Sequence, residues 1–420
     1  MIETMAVDAN VEHVVEAMLA QVVQMNLQAP AELRQVEIRE PNLEKIANGL
    51  QPMTRFEFTA KPSENIFGIS LEWSPCGRRL LTNSADRKAR VFELNDDNKL
   101  TLIATVGRPT RIDCVRWNHD GTLFATVCRD LPVQVWDLEG GLRATVGLPA
   151  ERGDVIKRAY SLAFSQDGSR LFVGYCDRIQ WFDATNFSCK GGLDHSKEEG
   201  AQPRNIISSL AVSPANANRI AIGGYDGHIR IYDIDAPVQT EPQVLYAGGP
   251  ITHMEFSPDG WKLYAGSRKA DWISCFDLFP MDMPRIRWYR RPVTNQQTIN
   301  FQIDRTGKYL ISGSTLGRVL MYETEAKGVI EDPNAGETDE LKTIPRIDPK
   351  FECGVSSGTV CGVSLHPTRP LLATIHGERI ARISDSEDED VEDHDEPVKK
   401  KRCYMRGDFG FDNGVKIWEL

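Results

Sequence analysis

The chain has 420 residues, 41% hydrophobic and 26% charged, an ordinary globular balance that excludes collagen-like, wholly disordered and disulfide-scaffold classes. Its net charge of −11 is unevenly spread: residues 384–396 hold nine carboxylates and no Lys or Arg, residues 1–50 carry −5, and the remainder is slightly basic at +3. No window holds the roughly 18 apolar residues that a spanning helix needs, and Glu3, Asp8, Glu12 and Glu16 stand where a leader would be basic, so neither membrane insertion nor secretion is expected.

Residues 1–50 form an N-terminal extension. Within it Val11, Val14, Val15, Met18, Val22 and Met25 recur at helical spacing behind Asn10, and Pro30 ends the pattern. This predicts one amphipathic helix over 9–27, which either docks on the main body or recruits a partner.

Beyond it the chain repeats. An aromatic or aliphatic residue, a small polar residue and a turn that usually closes on Gly recur seven times: Trp73-Ser74, Trp117-Asn118, Phe164-Ser165, Val212-Ser213, Phe256-Ser257, Ile303-Asp304 and Leu365-His366. The polar positions are spaced 44, 47, 48, 44, 47 and 62 apart. Each turn is followed by an apolar run, a Gly/Ser/Asp-rich break and an alternating run that ends on an aromatic and an acid, such as Val135-Trp136-Asp137 or Ile231-Tyr232-Asp233. Four short strands per period of about 40–45 residues predict an all-β fold, a seven-bladed β-propeller of WD repeats over 55–420. If the strands of a blade are a, b, c and d, the chain ends after strand c of blade 7, so the alternating run 55–59 is predicted to supply that blade's outer strand and remove an open edge.

Two insertions interrupt the repeats. Residues 325–350, with Pro333, Asn334, Gly336 and Pro345, are predicted as a loop of blade 6. Residues 384–410 of blade 7 are predicted to be disordered, because an acidic block followed by Lys399-Lys400-Lys401-Arg402 cannot bury apolar surface. The basic four are a candidate nuclear-import signal. Ser384 and Ser386, each directly before an acid, are candidate phosphorylation sites.

None of the usual catalytic or phosphate-binding patterns is present, and the eight His and nine Cys show no ligand spacing and no CxxC. Neither an enzyme nor a metal or cofactor site is expected, and the thiols are read as free. Asp120, Asp167 and Asp259 are read as turn-formers. A binding face is the better expectation. The b–c and d–a loops of all blades share one side of a propeller, and here they bring Arg87, Lys88, Arg129, Arg178, Arg268, Lys269, Arg108, Arg111, Arg158, Arg204 and Arg291 together with Tyr160, Tyr175, Tyr225 and Trp272. Cations for phosphate beside rings for bases suit unpaired RNA; acidic peptides would suit the same face. Arg285 to Arg291 form a second basic-aromatic cluster, on a strand predicted to be a solvated edge.

Several stretches are more specific than the period: Pro250-Ile251-Thr252-His253 through Phe256-Ser257-Pro258-Asp259-Gly260, Ala265-Gly266-Ser267-Arg268-Lys269-Ala270-Asp271, Thr294-Asn295-Gln296, and Gly362-Val363-Ser364-Leu365-His366-Pro367 with Pro370-Leu371-Leu372-Ala373-Thr374. On these the chain resembles the telomerase Cajal body proteins, WD-repeat subunits of box H/ACA small Cajal body ribonucleoproteins and of telomerase. The resemblance implies a nuclear, non-catalytic factor that binds the CAB-box terminal loop of small RNAs and delivers them to Cajal bodies. Telomerase RNA and its ribonucleoprotein proteins are among the implied partners. At matching positions Arg129, Arg178, Arg268 and Lys269 agree with basic residues of that family, and with Tyr175 and Trp272 as stacking rings they are the expected RNA contacts. The competing reading is a scaffold for peptide partners of a nuclear or cytoplasmic complex.

Overall fold

In the computed structural model the seven polar turns are the a–b corners of seven antiparallel sheets. It describes residues 52–58, 66–128, 131–147, 158–194, 205–235, 242–268, 270–279, 285–295, 297–330, 344–378 and 412–420; the helical segment 9–27 and the insertion 384–410 lie outside these. The inner strands, in blade order, are Gly68–Trp73, Ile112–Trp117, Ser161–Phe164, Ile207–Val212, Ile251–Phe256, Phe301–Ile303 and Val360–Leu365. Each leads outward through its sheet in chain order in blades 1 to 6. The fold is a seven-bladed β-propeller, and no helix occurs among the described residues.

Burial follows position in the blade. The b strands are flanked on both faces by neighbouring blades, so Leu80–Ser84, Phe124–Cys128 and Leu263–Ser267 read as unbroken buried runs. The outermost strand of blade 1 alternates toward solvent. The core is a ring of interfaces, with one apolar cluster between each pair of adjacent blades. Leu81, Val91, Val115 and Phe124 join blades 1 and 2; Leu71, Phe92, Ile375 and Val415 join blades 7 and 1. Each fully buried Leu or Phe in these clusters contributes about 1.5–3 kcal/mol.

The a–b corners show why the repeated polar residue is needed. Its side chain accepts the N–H of the residue five on: Ser74 from Arg79 at 3.0 Å, Asn118 from Leu123 at 3.0 Å, Ser165 from Arg170 at 2.9 Å, Ser257 from Lys262 at 2.8 Å and Asp304 from Tyr309 at 2.7 Å. Asp120, Asp167 and Asp259 cap the same turns through the N–H two residues on, at 2.8, 3.0 and 3.0 Å. The turns close on glycines in the left-handed region, with φ of 69–75° from Gly77 to Gly307. At Gly168 an added Cβ would also lie 2.3 Å from the His119 ring of the neighbouring blade.

Blade 7 is closed by the chain's two ends. Its outer strand is Pro52–Glu57, three residues earlier than the 55–59 alternation, and it pairs antiparallel with Gly414–Glu419. Phe56 meets Phe92 edge-on at 4.8 Å. Blade 5 is the exception among the sheets. Arg346–Ile347, from within the predicted loop 325–350, adds a fifth strand parallel to Arg285–Arg290, and Arg346 lies 5.6 Å from the Trp288 ring. The basic-aromatic strand is therefore covered there rather than a solvated edge, with Arg287 bonded to the Thr324 carbonyl at 3.1 Å.

Candidate nucleic-acid interface

The inner strands begin irregularly. In five of them one residue is skipped in the pairing to strand b: Ile69, Asp113, Ser208, Thr252 and Cys361. A bulge leaves its residue unpaired and re-aims the side chain. All five of these side chains line one cavity of about 220 Å³ at the mouth of the central channel, on the face of the d–a and b–c loops.

The rim of this mouth is basic and aromatic from blade 2 to blade 5. Arg111 reaches the bulged Asp113 at 2.6 Å, and Arg158 shares that carboxylate at 3.2 Å, so two guanidinium groups divide one negative charge. The Arg158 guanidinium also lies 4.6 Å from the Tyr160 ring centre. Opposite them Arg268 lies 5.7 Å from the ring of Tyr225 and donates to its hydroxyl at 3.1 Å; Tyr225 is 40% exposed. Each pair sets a cation beside a ring.

Further down, the inner strands place Glu72, Arg116 and Glu255 in the channel wall. Glu72 accepts the Trp117 N–H at 3.3 Å and Glu255 the Ile303 N–H at 3.2 Å, so each carboxyl also ties its blade to the next. Burial raises both carboxyls, opposed by the attraction of Arg116, and Glu255 is pushed up to about 8. The Arg116 guanidinium of blade 2 donates to the Val115 carbonyl at 3.0 Å and lies within the electrostatic reach of both carboxyls. Burial, reinforced by the Arg116 charge, pushes His253 down to about 3, so its imidazole is neutral.

The structure sorts the residues expected from sequence. Arg268 stands at the mouth. Arg178 lies outside it, paired with Asp194 at 3.1 Å. Arg129, Lys269, Arg204, Ser384, Ser386 and Lys399 to Arg402 lie outside the described residues. Tyr175 is 1% exposed and packs among Leu162, Val173 and Phe182 between blades 2 and 3, so it offers no ring face to a base. The blade 3 corner is too short to project it: Tyr175 N–H bonds the Arg178 carbonyl at 2.9 Å. Trp272 already stacks on Trp288, at 4.6 Å and 20°, which leaves one face at most. Arg291 is not a rim cation; it is 1% exposed and bonded to the Ile299 carbonyl at 3.1 Å. Arg108 turns inward to Cys128 at 3.3 Å.

Arg116 was legible but overlooked. It occupies the residue before the last of the inner strand, the column that reads Glu72, Arg116, Ala163, Ala211, Glu255, Gln302 and Ser364.

Comparison with known proteins agrees with this architecture. The WD domain, G-beta repeat family matches residues 55–93 and 199–233. Telomerase Cajal body protein 1 of Bos taurus is 32% identical over 82% of this chain and 64% of its own length, and the Homo sapiens protein of the same name is 32% identical over 77% and 59%. A Drosophila melanogaster protein named as its homolog is 27% identical over 80% of this chain and 62% of its own. The chain therefore spans somewhat less than two thirds of the curated relatives it matches.

Proposed function

From the premise that this WD-repeat propeller is a homologue of the telomerase Cajal body proteins, we propose that it binds small nuclear RNA without catalysing a reaction. Its ligand is the single-stranded terminal loop of box H/ACA-type RNAs carrying a CAB box, which it holds for localisation to Cajal bodies and for telomerase assembly. Ribonucleoprotein proteins are its further partners and the nucleus its compartment. One observation carries the reading: the channel mouth is ringed by Arg111, Arg158 and Arg268, with Tyr160 and Tyr225 beside two of them. Guanidinium groups position phosphates, while rings and neutral polar groups contact bases. Arg178, Trp272, Arg129 and Lys269 are the further RNA contacts of this proposal, the last two outside the described residues.

The test is crosslinking in cells, stringent purification of the tagged full-length protein and sequencing of the attached RNA. The expected result is enrichment of H/ACA-type RNAs with crosslinks in their terminal loops, lost when Arg158 and Arg268 are changed to Glu. A library equal to the uncrosslinked control overturns the proposal and leaves a peptide-binding scaffold as the account of the face.

A further inference from the structure

The channel mouth changes character with depth. At the rim stand the guanidinium groups. Below them the wall is polar and neutral: Asn300, Thr298, His253 and the bulged Thr252 and Cys361 all line the cavity. Among the described residues the Asn300 side chain has no hydrogen-bond partner, although its backbone N–H is fixed to the Cys361 carbonyl at 2.8 Å. Asn300 belongs to the cavity lining, so an amide donor and acceptor not taken up by the protein stand at this wall. The Thr252 hydroxyl donates to the Gly266 carbonyl at 3.0 Å, which leaves its oxygen to the cavity as an acceptor only. The imidazole of His253 is held edge-on to Phe301 at 4.8 Å, which gives it a fixed orientation. At the floor Arg116 lines the cavity, its guanidinium donating to the Val115 carbonyl at 3.0 Å. The volume, about 220 Å³, lies below the roughly 300–1,000 Å³ of sites for drug-sized ligands and suits one ring system.

We infer that the channel mouth is a pocket for a single extruded nucleobase of the bound RNA loop, whose edge is read by the Asn300 amide and the His253 ring while Arg158 and Arg268 hold the flanking phosphates. This rests on the RNA-binding reading above and names which part of the RNA enters the protein. Extruding a base costs least where it is already unpaired, so a loop is the substrate this pocket selects over a duplex. The amide pairs with complementary edges and leaves an unpaired polar group against others, which makes Asn300 a specificity-determining residue.

The probe is a hairpin RNA with a randomised loop, selected on the full-length protein and then synthesised with each loop position abasic in turn. Binding is measured for the native sequence, Arg158→Glu/Arg268→Glu, Asn300→Leu and Asn300→Ser, each checked for an unchanged melting temperature. The expected result is one loop position at which the abasic change weakens binding about tenfold or more. Asn300→Leu should lower affinity for the intact RNA to that of the abasic one and leave the abasic RNA unaffected. Asn300→Ser serves the same purpose if the Leu variant does not fold. An abasic scan without a sensitive position, or a sensitive position that survives both Asn300 variants, overturns the pocket while leaving RNA binding intact. Unchanged binding by Arg158→Glu/Arg268→Glu overturns the RNA-binding reading itself, and the pocket with it.

Discussion

The two faces of the propeller are built on opposite rules. On the a–b face one device recurs: a side-chain acceptor takes the N–H five residues on in blades 1, 2, 3, 5 and 6, and blade 7 substitutes His366, whose Nδ1 accepts from Thr368 and Arg369 at 3.2 and 3.1 Å. On the opposite face no two blades offer the same side chain at the bulge: Ile69, Asp113, Ser208, Thr252 and Cys361. Repetition marks the face that holds the blades together, and variation marks the face for which RNA binding is proposed. Substitutions should therefore separate, moving stability from one side and RNA retention from the other.

The largest effect is expected at the repeated face. Trp73 ends the inner strand of blade 1, is 5% exposed and meets the His366 ring edge-on at 5.0 Å, while its backbone N–H donates to the Ser364 hydroxyl of blade 7 at 3.2 Å. Trp73→Ala should cost about 3–5 kcal/mol in a denaturant melt, with the remaining folded fraction binding RNA at unchanged affinity. A loss of affinity in that fraction would mean that the two faces are coupled. Next in size is Arg158→Glu with Arg268→Glu, expected to weaken RNA binding by roughly 100-fold or more, equivalent to about 2.7 kcal/mol. The melting temperature should hold, because both side chains are only partly buried and Asp113 keeps Arg111 as its partner. A drop in melting temperature instead would make the Asp113 pairing structural.

Protonation should separate the faces less sharply. His376 is fully buried, contacts Thr374 Oγ1 at 2.6 Å and is pushed down to about 3 chiefly by burial; His366 is pushed to about 4 and His253 to about 3 for the same reason. A histidine that is neutral when folded and titrates normally when unfolded gives the unfolded chain the extra proton. Stability from these three is complete above pH 6.5 and is lost as pH falls from 6.5 toward 3 to 4. Glu255 works in the other direction: raised to about 8, it binds a proton when folded, so stability rises as pH falls from 8 toward 4.5. The melting temperature should peak near pH 6 to 7. His376→Gln should flatten the acid side of that curve, and an unchanged acid side would exclude His376 as a contributor.

How much of this was legible depends on what each feature is made of. The blade count came from side chains that recur at a fixed period, and so did the turn roles of Asp120, Asp167 and Asp259. The cations of the mouth were legible as loop composition, since a loop's position in the blade decides its face. The bulges were not, because a skipped residue is a property of backbone pairing and leaves no composition signal at Thr252 or Cys361. Tyr175 misled because it follows a strand and resembles a loop residue, yet its corner is tight enough to turn the ring inward. Arg291 misled similarly: a carbonyl eight residues on, at Ile299, accepts its guanidinium inside the fold. The fifth strand of blade 5 was hidden because its two residues follow Pro345 in a stretch with loop chemistry.

The smallest expected effects test the comparison most closely, since they come from two hydroxyls at opposite ends of one strand. Ser257, 4% exposed, accepts the Lys262 N–H at 2.8 Å at the repeated corner of blade 5. Five residues earlier, Thr252 donates to the Gly266 carbonyl at 3.0 Å at the bulge. Ser257→Ala leaves a buried N–H without its acceptor and should cost about 1 kcal/mol, read as a lower melting temperature, with no change in RNA preference. Thr252→Val keeps the shape but removes the donor from a half-buried residue that lines the cavity. Its melting temperature should therefore move less than that of Ser257→Ala, while the preferred loop base, read by selection from the randomised hairpin, should shift because the pocket wall has lost its hydroxyl. If Thr252→Val costs as much stability as Ser257→Ala and leaves the preferred base unchanged, the bulge serves the sheet rather than the ligand.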